Sequence, residues 1–119
     1  MKRDMDLIRS ILLEMEGASG GYAPNPIPVE GFDEETVGFH CHLMVEAELI
    51  AGVNVTALGS TAPMALPLSL RWKGYEFLDA AREATTWNKA KGLAAGAGNS
   101  SFKILFDVLM KLALGQLGL

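Results

Sequence analysis

Apolar residues first recur at helical spacing near the start of the chain, where Met5, Ile8, Leu12 and Met15, with Ile11 beside them, fall on one face. Asp4 stands as N-cap and Asp6 complements the helix dipole, which predicts a helix over roughly residues 4–16. Gly17-Ala-Ser-Gly-Gly ends it, and Pro24, Pro26 and Pro28 hold the chain extended into a short strand at Val29. A second helix, to about Ala47, starts at Asp33, with Glu34 and Glu35 in its first turn and Phe32 placed to staple onto Val37. Val37, Cys41, Met44 and Val45 crowd one side of it and Phe39, Leu43, Ala47 and Ile50 another, which leaves the stripe Glu35, Gly38, His42 and Glu46 outside.

Period-two alternation follows. Val53-Asn-Val-Thr and the run Leu66, Leu68, Leu70, Trp72 read as the strands of a hairpin joined by a long, charge-free loop, and Pro67 marks an edge. A third helix is predicted at about residues 73–84, burying Phe77, Leu78 and Ala81, with a short continuation through Trp87 and Leu93 and a break at Gly92 to Gly98. Ser100 or Ser101 then caps a last helix with Phe102, Leu105, Phe106, Leu109, Leu112 and Ala113 on one face and Lys103, Asp107 and Lys111 opposite. The order helix, strand, helix, strand, long loop, strand, helix is that of an α+β, winged-helix-like domain over residues 1–84, with a C-terminal helical extension over residues 85–119.

Charge complicates this outline. The chain has a net charge of −4, yet no lysine or arginine stands between Arg9 and Arg71, and residues 10–70 alone carry −8. With a pI near 5.1 there is no global basic field to capture phosphate backbones. The single cysteine, Cys41, cannot form an internal disulfide and has no CxxC partner, which fits a reducing cytoplasm. The charged start, Met1 to Asp6, is unlike an export signal, and Lys103, Asp107 and Lys111 interrupt the most apolar segment, so a soluble protein without a membrane span is expected.

Three blocks carry a family resemblance: Met1-Lys-Arg-Asp-Met-Asp-Leu-Ile-Arg, Glu35-Thr-Val-Gly-Phe-His40 leading to Glu46-Ala-Glu-Leu-Ile50, and Leu70-Arg-Trp-Lys-Gly-Tyr-Glu-Phe-Leu-Asp79. Together with Trp87-Asn-Lys-Ala-Lys, they make the chain resemble the uncharacterised bacterial and phage family called domain of unknown function twenty-five thirteen. The resemblance implies a small cytoplasmic protein, often prophage-encoded, with a winged-helix-like fold and no established activity. The chain departs from it at three places: Glu48 where Gly would end the second helix, Arg71 where Thr would cap the third, and Tyr75 in place of His.

No motif for catalysis stands out, and an enzyme is not expected. His40-Cys41-His42 has the residue types of a zinc site but not the spacing, because helical neighbours point about 100° apart. His40 reads as a hydrogen-bonded core histidine and Cys41 as a packed small hydrophobe, so no metal and no cofactor are expected. Gly92 to Gly98 lacks the Gly-Lys-Ser/Thr ending of a phosphate loop.

Two functions follow. The first is a phage-type transcriptional regulator in which a winged helix binds DNA, with Lys2, Arg3, His42, Arg71 and Lys73 as its contacts; Glu35 and Glu46 on the exposed stripe oppose a phosphate groove. The alternative is a protein–protein interaction module without DNA, a dimeric adaptor or an inhibitor of a host protein. A homodimer is expected through the last helix, at Leu105, Leu109 and Leu112, since Ile104, Val108, Met110 and Leu114 widen its apolar face beyond one small core.

Overall fold

The computed structural model describes residues 1–96, 102–113 and Gly115. Among them the order is α1 (Met5–Gly17), a short 3-10 turn (Ser19–Gly21), α2 (Glu34–Glu46), β1 (Ile50–Asn54), β2 (Ala65–Leu70), α3 (Trp72–Ala81), α4 (Ala84–Gly96) and α5 (Phe102–Ala113). The class is α+β, and a helix pair followed by an antiparallel hairpin is consistent with a winged-helix-like layout. The fold divides into two compact units, Met1–Tyr75 and Glu76–Leu119.

In the first unit α1 starts as its capping signal predicts: the Asp4 carboxylate accepts from the backbone N–H of Asp6 and Leu7 at 3.0 and 3.2 Å. It buries Leu7, Ile8, Ile11, Leu12 and Met15. α2 begins at Asp33, whose carboxylate accepts from the Thr36 N–H at 2.7 Å. Its end is a Schellman turn, with Leu49 N–H bonded to Met44 O at 2.9 Å and Glu48 N–H to Val45 O at 3.0 Å. That turn delivers the chain into β1.

β1 and β2 pair antiparallel from Ile50↔Leu70 to Asn54↔Ala65, with a register shift between Ala51 and Gly52 that leaves Leu68 as the extra residue on β2. Pro67, beside that shift, sits where a missing N–H costs least. The expected strand at Val29 does not form. Prolines at alternate positions 24, 26 and 28 erase the donors along one whole edge of an extended segment, and Val29 turns its N–H back to Ile27 O at 3.1 Å. One rung survives, from Ala23 N–H to Leu68 O at 2.8 Å. The Asn25–Pro26 peptide is cis.

Trp72 does not continue β2 as the alternation predicts. Arg71 N–H turns to Leu49 O at 3.0 Å and Arg71 O accepts from Tyr75 N–H at 3.1 Å, so the helix begins there and Trp72 is 81% exposed. In the second unit α3 and α4 are separated at Arg82 and Glu83, and α4 is a full helix that runs through Gly92 to Gly96 rather than a short continuation; the rest of the expected break, residues 97 and 98, lies outside the described residues. Trp87, Ala90 and Ala94 are buried at helical spacing, which gives α4 a face to bury and carries it through Gly92. Phe77 packs edge-on to Trp87 at 5.8 Å and stacks with Phe106 at 6.1 Å between ring centroids. The caps expected at Ser100 or Ser101, and Leu114, lie outside the described residues.

Candidate functional site

α2 carries the stripe on which a groove-reading surface would depend. Glu35 and Glu46 are exposed there, and His42, half-buried, lies 3.3 Å from the Glu46 carboxylate. Gly38, expected outside, is buried. A Cβ at Gly38 would meet Met64 Cε at 2.6 Å, and Glu35 accepts from the Thr61 hydroxyl at 3.1 Å, so the hairpin loop lies across the N-terminal half of the stripe. Helical period alone places Gly38 on the stripe; a loop 26 residues away covers it.

The loop itself is closed and uncharged. Thr56 Oγ1 accepts from Met64 N–H at 2.9 Å, Val55 N–H donates to Met64 O at 3.0 Å, and Ser60 bridges to Ala57 through both backbone and side chain. Gly59, with φ of +84°, makes the turn at the tip. Leu58 stands fully exposed there, with Val53 and Val55 also exposed below it. From Leu49 to Leu70 there is no charged residue.

Behind the loop lies a cavity of about 280 Å³ between residues 24–27, α2 and β2. Its floor is Ile27, Gly38, Cys41 and Ala65, all buried, and Phe32, Glu34 and Val55 stand exposed at its mouth. Burial pushes the Cys41 thiol up to about 12, so it remains a neutral lining group, as the packed-hydrophobe expectation holds. No pattern of periodicity announces this cavity. The prolines at alternate positions were its signal, since they keep the 24–28 segment from zipping onto β2.

His40 is a satisfied core histidine. Its Nε2 accepts from the Asp4 N–H at 2.9 Å, and its Nδ1 faces Thr36 O at 2.8 Å, which requires the proton on Nδ1. Both nitrogens are spoken for, so neither is open to a metal, and the ring ties the start of α1 to the middle of α2.

The proposed cations are exposed but divided. Lys2 and Arg3 precede Asp4, which is anchored at His40, whereas Arg71 is anchored at Leu49 with Lys73 in the next turn. These anchors lie on the order of 10 Å apart along α2 and its end. His42, between them, is taken up with Glu46. Missed from sequence is exposed Trp72, set between Arg71 and Lys73 with exposed Tyr75 one turn on. Leu105, Leu109 and Leu112, expected at a dimer interface, are buried in the single chain, and Ile104, Val108 and Met110 are partly exposed.

Among the described residues no helix is long and apolar enough to cross a membrane. In comparisons with known proteins, a family model described as "Hypothetical protein (DUF2513)" matches residues 2–100. An "Uncharacterized protein" of Haemophilus influenzae is 42% identical over 94 residues, which covers 76% of each chain. No solved structure matches.

Proposed function

Because the chain belongs to the DUF2513 family, from which no activity carries over, we propose a function from its own surfaces: a non-catalytic protein-interaction module that docks through the hairpin and the adjoining face of α2. One observation carries this. The hairpin that a DNA-binding winged helix would lay along a phosphate backbone has no charge and ends in a fully exposed Leu58, and its loop covers half of the acidic stripe beside it. Uncharged, apolar surface beside single-sign acidic surface suits a protein partner and repels a polyanion.

A second reading has its own support in Arg71, Trp72, Lys73 and Tyr75, where an exposed aromatic ring between two cations resembles a stacking platform for a single strand. A DNA titration and a peptide selection separate the readings. Fluorescent double- and single-stranded DNA should show no salt-sensitive binding. Affinity that falls steeply with salt and disappears in Trp72→Ala overturns the protein-binding role in favour of the second. Selection from a random-peptide display library on the wild type should return peptides that lose roughly tenfold or more in affinity for Leu58→Asp. A library that yields no Leu58-dependent binder also overturns it.

A further inference from the structure

The cavity and the charges at its mouth together select a ligand. Its floor of Ile27, Gly38, Cys41 and Ala65 has no charged side chain, and an ion seated there would be left unpaired at large cost. Its volume of about 280 Å³ falls just below the ~300–1,000 Å³ of small-molecule sites, enough for one large apolar side chain. Met64, packed over Gly38, is a flexible wall that can adjust to what enters.

The mouth is different in kind. Glu34 lines it, and Glu30, Asp33 and Glu35 lie close by in sequence, all exposed. Asp33 is occupied in capping α2 and Glu35 in holding Thr61. The carboxylates of Glu30 and Glu34 have neither a hydrogen bond nor an ion pair among the described residues. With no lysine or arginine between Arg9 and Arg71, no nearby cation in the sequence cancels their field.

The geometry points to a basic peptide segment as the occupant of this cavity, with one large apolar side chain on its floor and flanking lysine or arginine paired with Glu30 and Glu34. This rests on the protein-binding role proposed above and names the partner's chemistry. Opposite charge outside and an apolar anchor inside divide the labour: the charges orient and accelerate the encounter, and the anchor slows release.

The test uses three fluorescein-labelled peptides with a central tryptophan flanked by lysines, serines or glutamates, titrated by fluorescence polarisation at low and raised salt. The lysine-flanked peptide should bind at least roughly tenfold more tightly than the serine-flanked one, and the advantage should shrink with salt. Glu30→Lys combined with Glu34→Lys, both on exposed positions, should abolish that preference and transfer it to the glutamate-flanked peptide. Val37→Trp, which fills the cavity, should weaken all three, with circular dichroism checking that the fold is retained. Equal binding of the serine-flanked peptide, indifference to the charge reversal, or no binding by the wild type overturns the inference. If Leu58-dependent peptides still emerge from display in that case, the broader role stands and only the basic ligand falls.

Discussion

Glu48 occupies a backbone conformation that L-residues with a Cβ avoid: its φ of +63° is the left-handed value that glycine adopts freely. The Schellman turn demands it, because both closing bonds from Glu48 and Leu49 depend on that residue reversing the helix. Glu48→Gly should therefore stabilise the fold by about 1 kcal/mol in urea denaturation, and a loss of stability would show that the glutamate has a compensating role. Cys41 gives a pH-dependent counterpart. Burial raises its thiol from 9.0 to about 12, so below pH 9.0 it is protonated in folded and unfolded chains alike. Above that the unfolded chain ionises first, and stability contributed by the neutral buried thiol is lost as pH rises toward about 12. The stability gap between wild type and Cys41→Ala should narrow by on the order of 1 kcal/mol per pH unit across that window; a gap that does not change with pH contradicts it.

Elements meet most tightly where α3 leaves the hairpin. A Cβ on Gly74 would collide with the Leu49 carbonyl, which is itself held by Arg71 N–H at 3.0 Å, so neither partner can yield. Gly74→Ala should cost about 2–3 kcal/mol by forcing α3 away from the turn after α2. Gly92 provides the control, because a Cβ there meets nothing within 4 Å inside α4. Gly92→Ala should stabilise by about 0.5–1 kcal/mol through helix propensity. Opposite signs for the two alanines, read from thermal midpoints, are the expected result; equal effects would mean that Gly74 is not a contact point. The same junction explains why α3 starts with Arg71 at its cap, without a side-chain acceptor and with Lys73 set against the dipole. Its start is held by the bond from Arg71 N–H to Leu49 O in the turn after α2.

Over the whole molecule the charge is not shared evenly. Residues 1–75 hold ten acidic and five basic side chains, for a net −5, and residues 76–119 hold four acidic and five basic, for +1. The hairpin and the cavity therefore belong to a unit whose own field repels phosphate and attracts cations. Flat DNA titrations and salt-sensitive binding of the lysine-flanked peptide are two consequences of that single imbalance. The peptide preference should fade as ionic strength shortens the reach of the field, leaving the apolar anchor as the residual affinity, while the DNA titrations stay flat.

Local signals with short range were legible from the order of residues: the caps at Asp4 and Asp33, the helical face of α1, the hairpin and its proline edge, the hydrogen-bonded core role of His40 and the buried thiol of Cys41. Each depends on a residue and its neighbours within a turn or a pleat, which the order of residues specifies directly. The strand at Val29, the continuation of the second strand to Trp72 and the exposure of Gly38 do not hold in the structure, because in each case other contacts overrode the local period. Proline donors missing along one edge undid the strand; the bond from Arg71 to Leu49 turned Trp72 out; Met64 came across to bury Gly38. The cavity belongs to the same class. It is a space between a proline segment, a helix and a strand, and no one of them contains it, so it came into being only when all three were packed.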